Sequence, residues 1–435
     1  MMITPVHTSS PEGHRLLAQL GNRFQANDTS CRDTVAQILA DIRSRGDEAL
    51  IEYIRRFDAP DITIDQLRVT EQEMEEAVKE VDDALLDTLD RAIERIRIFH
   101  EEEREQSWIK THANGMITGR VVNPVDSAGL YVPGGQGGLT PLVSSVLMNG
   151  IPAGIAGVKR RVMMTPPNRQ GRVHPALLVA ASRIGINEIY KAGSAWAIGA
   201  LAYGTKSVAP VDVIVGPGNQ YVAEAKQQVN GRVRIDMVAG PSEVLIIADA
   251  TANPAYIAAD MLAQAEHDPL AISILITTKP TLADQTNTHL ISQLKELSRK
   301  DIAEKSLKER GIILIADSLE EAMTMANTIA PEHLELMILD PFEWLSQVRH
   351  AGAIFLGSYV PESTGDYLAG PNHVLPTMGT ARFSSALGVE TFIKKSSIIS
   401  YSRQALLEDS EHIQRLANLE GLTAHARSAA IRSGK

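Results

Sequence analysis

One cysteine in 435 residues removes two kinds of chemistry at once. An internal disulfide is impossible, and so is a zinc site built from several thiolates. Cys31 falls in a polar, helix-like segment near the N-terminus, away from every motif described below. It lacks the electropositive setting that activates a thiolate, so it reads as incidental. Positive charge is also scarce: 42 Lys and Arg against 53 Asp and Glu leave a net charge of −11. That argues against nucleic acid as the main partner, because phosphate binding needs a basic surface. The opening residues, Met1 to Ser10, have neither the basic flank nor the apolar core of an export signal. No apolar run approaches the roughly 18 residues of a membrane span; the best stretch, from Val143 to Val158, is broken by Ser, Asn, Pro and Gly. These absences lead us to expect a cytoplasmic protein. The dinucleotide fingerprint G-x-G-x-x-G is missing as well. What remains is an ordinary globular composition, 44% apolar and 22% charged. The length calls for about two to four domains, since single cores stop growing near roughly 250–300 residues.

Six short segments in the second half concentrate residues that a fold built only for stability would not need. They are Ala-Gly-Pro-Ser-Glu (239–243), Gln-Ala-Glu-His-Asp (264–268), Pro-Glu-His-Leu (331–334), Gly-Asp-Tyr (365–367), Gly-Pro-Asn-His (370–373) and Glu-Gly-Leu-Thr-Ala-His (420–425). Imidazole, carboxylate and amide oxygens are ligands for a divalent ion such as zinc. An adjacent Glu-His pair left over suits acid–base chemistry. A metal-dependent enzyme is the leading reading.

The chain pattern gives these segments a frame. Residues 1–60 read as helical, with Val35, Ile38, Leu39 and Ile42 at helical spacing. Thr70 to His100 is an amphipathic helical stretch opened by the capping box Thr-Glu-Gln-Glu. From Gly129 to about Leu356, short β-type segments alternate with helical ones. Such alternation implies parallel sheets covered on both faces. Two such units in tandem are expected, and the residues from about Thr391 read as a mostly helical arm.

Bland readings compete at each segment. Gln264 and His267, three apart near a helix end stopped by Asp268-Pro269, share a face; a His capping the last carbonyls would look the same. Glu332 and His333 would point opposite ways in extended chain, one buried and one solvated, unless a loop aims both into a cleft. The Gly/Pro-rich stretch 357–377 follows a strand, where functional loops of parallel sheets commonly lie; Asp366 and His373 are its candidates, with a turn-capping Asp as the alternative. Glu420 and His425 could be exposed residues of a helix. If they belong to the site, an arm reaching into a neighbouring subunit is the natural route. Val-Gly-Pro-Gly-Asn-Gln (215–220) and the Gly-rich stretch 129–138 are strand-to-helix turns able to hold an anion on backbone amides.

Taken together, from about residue 30 onward, these segments resemble the histidinol dehydrogenase family. Gly-Leu-Tyr-Val-Pro-Gly-Gly, Gly-Pro-Gly-Asn, Ala-Gly-Pro-Ser-Glu, Gln-Ala-Glu-His-Asp, Ala-Pro-Glu-His-Leu-Glu, Gly-Asp-Tyr, Asn-His-Val-Leu-Pro-Thr and Glu-Gly-Leu-x-x-His occur in that order. The resemblance implies one zinc per subunit, held by Gln264, His267, Asp366 and, from the partner subunit, His425. It implies Glu332 and His333 as acid–base residues, and substrate contacts from Ser242, His333, Glu420 and the zinc ligands. NAD would meet Tyr131 and Asn219, and Trp196 at a position where the family commonly has Gln. A Trp can cover a ring but cannot repeat an amide's hydrogen bonds. The stretch Gly134 to Pro141 also departs from the commoner Gly-Gly-Thr-Ala-Ala-Tyr-Pro.

The implied fold is α/β: two tandem incomplete Rossmann-like parallel-sheet domains with small helical N- and C-terminal segments, assembled as a homodimer with a shared active site. The expected boundaries are 1–28 for an N-terminal segment, 29–129 with 243–385 for the zinc domain, 130–242 for the NAD domain and 386–435 for a dimerisation arm. The implied activity is four-electron oxidation of L-histidinol through L-histidinal to L-histidine. The nearest alternative is a zinc and NAD dehydrogenase for another small polar alcohol, such as a sulfopropanediol; Glu-Gly-Leu-x-x-His favours histidinol. A zinc hydrolase could use the same ligands, and zinc without NAD dependence would mark it.

The cysteine count also constrains mechanism. Aldehyde oxidation through a thiohemiacetal requires a reactive thiol, and only Cys31 is available. Cys31→Ala should leave turnover nearly unchanged in a steady-state assay. A severe drop with the fold intact would restore the thiohemiacetal route.

Overall fold

The computed structural model describes residues 2–23, 29–134 and 140–434. Two parallel sheets organise them. A six-stranded sheet runs in the order Pro5–His7, Ile312–Ile315, Ile272–Thr277, Glu243–Ala248, His333–Met337 and Ala353–Leu356, every pairing parallel. A five-stranded parallel sheet runs Glu188–Lys191, Arg160–Thr165, Ser127–Tyr131, Val213–Val215 and Arg234–Ile235. The central strands Glu243–Ala248 and Ile272–Thr277 are buried along their whole length. Their near-continuous Val, Ile and Leu content is what a strand covered on both faces requires.

Helices cover both faces of each sheet. On the six-stranded sheet, Ile257, Met261 and Leu262 of helix Pro254–Ala265 join Val244 and Ile246 in one core, while Ala322, Met323 and Ala326 of helix Leu319–Ile329 join Leu245 and Ile247 in another. On the five-stranded sheet, Val35, Leu39 and Ile42 of helix Thr29–Arg45 pack with Val162 and Ile214. Leu89, Ile93 and Ile96 of helix Asp83–Glu101 pack with Leu130 and Met163. The helices of 29–101 thus pack on the sheet formed by 127–235, not on the six-stranded one with which we had grouped 29–129. Cys31 lies in helix Thr29–Arg45, the helical segment expected for it, and is buried on the same stripe as Val35 and Ile38.

Four strands lie where helix or no strand was expected. Pro5–His7 extends the edge of the six-stranded sheet, so residues 1–60 are not all helical. Trp108–Thr111, Ile117–Pro124 and Ile393–Ser400 form a three-stranded antiparallel sheet. The C-terminal arm follows it as helices Arg403–Leu419 and Thr423–Ser433. Ser402 caps the first of these and also donates to the carbonyl of Asn114 at 2.6 Å.

The N-terminal segment is locked to the six-stranded sheet by Arg23. Its guanidinium makes a two-pronged contact with the buried carboxylate of Glu243, 2.6 Å on one arm, and donates to the carbonyl of Ile329 at 2.8 Å. Removing one partner of a buried ion pair leaves an uncompensated charge. Arg23→Met should therefore lower the unfolding free energy by about 3–5 kcal/mol in chemical denaturation. A loss under about 1 kcal/mol would show that Glu243 finds another partner.

Candidate active site

The amino-terminal ends of the six-stranded sheet gather the motif residues. Ser242 precedes strand Glu243–Ala248, and Glu332-His333 opens strand His333–Met337. Gln264 and His267 sit at the C-terminal end of helix Pro254–Ala265, which Asn253 caps at its start and which leads into strand Ile272–Thr277. The stretch 357–377 does leave from the carboxyl end of a strand. Its short helix Glu362–Tyr367 nonetheless carries Asp366 back to the cluster of His267.

Glu332 and His333 are both buried, at 5% and 4% exposure, so neither bland half of the alternation holds. Their approach is unusual. Helix Leu319–Ile329 ends at Ala330 with φ +50°, a left-handed conformation that L-residues other than Gly, Asn and Asp rarely adopt. Both side chains then bond to one residue of the neighbouring strand. The N–H of Glu243 donates to Glu332 Oε2 at 2.8 Å, and His333 Nδ1 lies 3.0 Å from the carbonyl oxygen of Glu243. A carbonyl only accepts, so Nδ1 carries the proton and Nε2 of the neutral ring is left with its lone pair. Burial pulls the pKa of His333 down to about 4, which keeps the ring neutral through the neutral range. Burial pushes Glu332 well above the usual carboxylate range.

Ligand-type atoms of His267, Glu362 and Asp366 lie within 4.8 Å of one another. Gln264 is fully buried, and its amide group meets both oxygens of Glu362 at 2.9 and 3.1 Å. Two acceptors fix that arm as the NH2, so the carbonyl oxygen occupies the other arm. His267 is exposed along one edge yet is shifted towards its neutral form, chiefly by desolvation. Burial pushes Asp366 up to about 6. His373 Nδ1 stands 3.9 Å from Asp366 Oδ1, and its Nε2 is buried without a partner. Nitrogen and oxygen donors with no thiolate fit a divalent ion of the zinc type. The donor chemistry agrees with the Gln264, His267 and Asp366 set.

Glu362 is the residue that sequence reasoning missed. It lies inside the stretch already singled out, four residues before Asp366, and its signal was i,i+4 spacing. Pro361 and Gly365 hide that signal, because neither suggests a helix. Glu362 Oε1 is also 3.6 Å from His333 Nδ1. Burial and the nearby charge of Asp366 hold its carboxyl well above the ordinary range.

The remaining candidates lie elsewhere. Glu420 and His425 are exposed on the C-terminal arm and are not part of the His267, Glu362 and Asp366 cluster within one chain. Tyr131 is the last residue of strand Ser127–Tyr131, and Trp196 and Asn219 lie beyond the carboxyl ends of strands Glu188–Lys191 and Val213–Val215. Tyr131 is buried, and its hydroxyl accepts from the Ser194 N–H at 3.0 Å. Asn219 is exposed, and its Oδ1 caps helix Gln220–Val229. Trp196 is buried and stacked with Tyr53 and Phe57, ring centroids 5.7 and 5.3 Å away. Of the divergent stretch 134–141, residues 135–139 lie outside the described residues.

Known proteins repeat this arrangement over almost the whole chain. The family model described as histidinol dehydrogenase matches residues 22–433. The histidinol dehydrogenase of Desulfotalea psychrophila is 64% identical over 432 residues, covering 99% of this chain and 100% of that one. That of Bacillus subtilis is 51% identical, covering 95% and 96%. The crystal structure of histidinol dehydrogenase from Elizabethkingia anophelis superposes with a TM-score of 0.89 at 39% identity, covering 96% of each chain. An oxidoreductase acting on a CH–OH group accounts for both the site and the similarity, and the chain belongs to the histidinol dehydrogenase family.

Proposed function

We propose that the protein oxidises L-histidinol through L-histidinal to L-histidine in the cytoplasm, with NAD as oxidant and one zinc per subunit. The observation that carries this reading is the state of His333: neutral, Nδ1–H spent on the Glu243 carbonyl, Nε2 free, beside a second buried acid–base group. Gln264, His267 and Asp366 would hold the zinc with His425 of the partner subunit. The metal supplies a fixed anchor and a positive charge for the substrate's amine and imidazole. Tyr131, Trp196 and Asn219 would meet NAD, which would supply the hydride acceptor for both oxidations.

His333 Nε2 takes the hydroxyl proton of the alcohol as its C–H hydride departs, which leaves the aldehyde. The aldehyde must then gain an oxygen before it can lose a second hydride. Cys31 is buried in the core around Val35 and Ile38 and is not part of the His267, Glu362 and Asp366 cluster. Water is the remaining nucleophile. Glu332, whose raised pKa makes it a stronger base than an ordinary carboxylate, removes a proton from water as it adds to the carbonyl, and the carbonyl oxygen takes the proton that His333 gained in the first step, giving a gem-diol and returning His333 to its neutral form. As hydride leaves that diol, one hydroxyl proton passes to His333 Nε2, and the acid so formed gives its remaining proton to solvent as the carboxylate. Ser242, at the mouth of the same strand end, and Glu420 of the partner subunit would hold the substrate in place.

NADH formation from L-histidinol, abolished by a chelator and restored by zinc, is the direct test; full activity in rigorously metal-free protein would overturn the zinc assignment. The Glu332 and His333 roles separate by substrate. His333→Asn should depress alcohol oxidation by about 100–10,000-fold, the range for a positioned base. Glu332→Gln should harm L-histidinal oxidation more than L-histidinol oxidation, and equal losses would contradict its role.

The exposure of Glu420 and His425 on the arm supports a site completed across a two-fold axis. Inactive His425→Ala and His267→Ala subunits, mixed after exchange is verified by tag pull-down, should then regenerate activity. Random pairing of equal amounts leaves roughly a quarter of all sites intact in a two-fold dimer. Exchange without recovery would place His425 in its own chain's site.

A further inference from the structure

We propose that Glu362 is the positioning residue of the metal centre: it holds the NH2 arm of Gln264, so that only the amide's carbonyl oxygen can face the metal. The inference rests on the zinc reading above and adds a residue that reading does not use. An amide nitrogen has no available lone pair, whereas an amide oxygen is a good hard ligand. A Gln side chain therefore ligates in one of two orientations that differ by a half-turn about its last torsion, and something must choose between them. Glu362 chooses here. Its two oxygens stand 2.9 and 3.1 Å from the Gln264 NH2, and both side chains are buried, at 3% and 0% exposure. Water cannot substitute for the contact at that burial. No Lys or Arg pairs with Glu362 among the described residues; its ion-pair neighbour is His333 Nδ1 at 3.6 Å. The carboxylate thus has its acceptor capacity directed at Gln264, not spent on a cation.

The location fits the role. Glu362 and Asp366 are four apart on one short helix, so a single element delivers a ligand and the group that orients another. The side chain of His267 converges on the same point. Groups that orient metal ligands in this way typically change metal affinity by about 10–100-fold when removed.

The test is a double-mutant cycle read as zinc affinity, by competition with a chromophoric chelator on the full-length protein. Circular dichroism of each variant verifies the fold. Glu362→Gln is nearly isosteric, removes the charge and turns one acceptor oxygen into an NH2 facing the Gln264 NH2. It should weaken zinc binding by about tenfold or more. Gln264→Ala should weaken it at least as much. Because Glu362 acts through Gln264, adding Glu362→Gln to Gln264→Ala should cost less than about threefold further. The exchange Gln264→Glu with Glu362→Gln keeps an NH2-to-carboxylate bond with the roles reversed and offers oxygen on both arms of residue 264. It should recover most of the affinity lost in Glu362→Gln alone. Multiplying losses in the cycle would make Glu362 a direct ligand and overturn the proposal, as would native affinity in Glu362→Gln. Zinc affinity is measured without substrate or NAD. Failure of the protein to oxidise L-histidinol would therefore count against the proposed function and leave this result standing.

Discussion

The site depends on one residue that is assigned no chemical step. Glu243 is the first residue of a strand in the middle of the six-stranded sheet. Its N–H fixes Glu332 and its carbonyl fixes His333. Its carboxylate is held by Arg23, which also grips the end of helix Leu319–Ile329 through Ile329. Backbone groups of a central strand cannot change rotamer. Anchoring both side chains on one of them sets their separation and the tautomer of the imidazole with little loss of rotational freedom at the time of reaction. This is preorganisation obtained from the sheet itself.

The candidate residues lie at opposite ends of the two sheets. In the five-stranded sheet, the segments after strands Ser127–Tyr131, Glu188–Lys191 and Val213–Val215 carry Trp196 and Asn219, the usual carboxyl-end placement for a nucleotide site. In the six-stranded sheet the chemistry-bearing residues sit where strands begin. The stretch 370–377 ties the halves together. Asn372 donates to the Met148 carbonyl at 2.7 Å and meets His100, while Thr377 accepts from the Gly240 N–H at 2.5 Å. His373 is therefore borne by a segment anchored in both units, and the helix that carries Asp366 leads directly into it.

Much of this was legible in the sequence. Strands such as Glu243–Ala248 and Ile272–Thr277 are mostly Val, Ile and Leu, and the Gln264/His267 pair lies on a helix end as its spacing implies. The strands that were not read share a different physical character. Ile393–Ser400 buries only its first residue and presents Lys394, Lys395, Ser396 and Ser397 to solvent. Trp108–Thr111 is exposed along its length. Such strands carry no alternation, because their partner is a distant strand and not a core. Glu362 escaped for a local reason, the Pro361 before and the Gly365 within a real turn of helix. Cys31 is helical as its segment implied, and although its neighbours are polar its spacing to Val35 and Ile38 puts it on the buried stripe.

The electrostatics of the site give a reason for a metal that does not depend on likeness to other proteins. Glu332, Glu335, Glu362, Asp260 and Asp366 are crowded into one largely buried region, and burial raises the pKa of every one. Mutual repulsion adds to the rise at Glu335 and Glu362. Arg23 is committed to Glu243, and no other cation is paired with these five groups among the described residues. Such a cluster holds protons unless a positive charge replaces them. His267 and His373 do not supply it, since desolvation keeps both towards the neutral form. Neutral imidazole and ionised carboxylate are the forms that ligate. A divalent ion taken up here would therefore displace protons from the carboxyl groups while finding His267 already in its ligating state, so that metal affinity climbs as pH rises through the range set by Asp366, near 6.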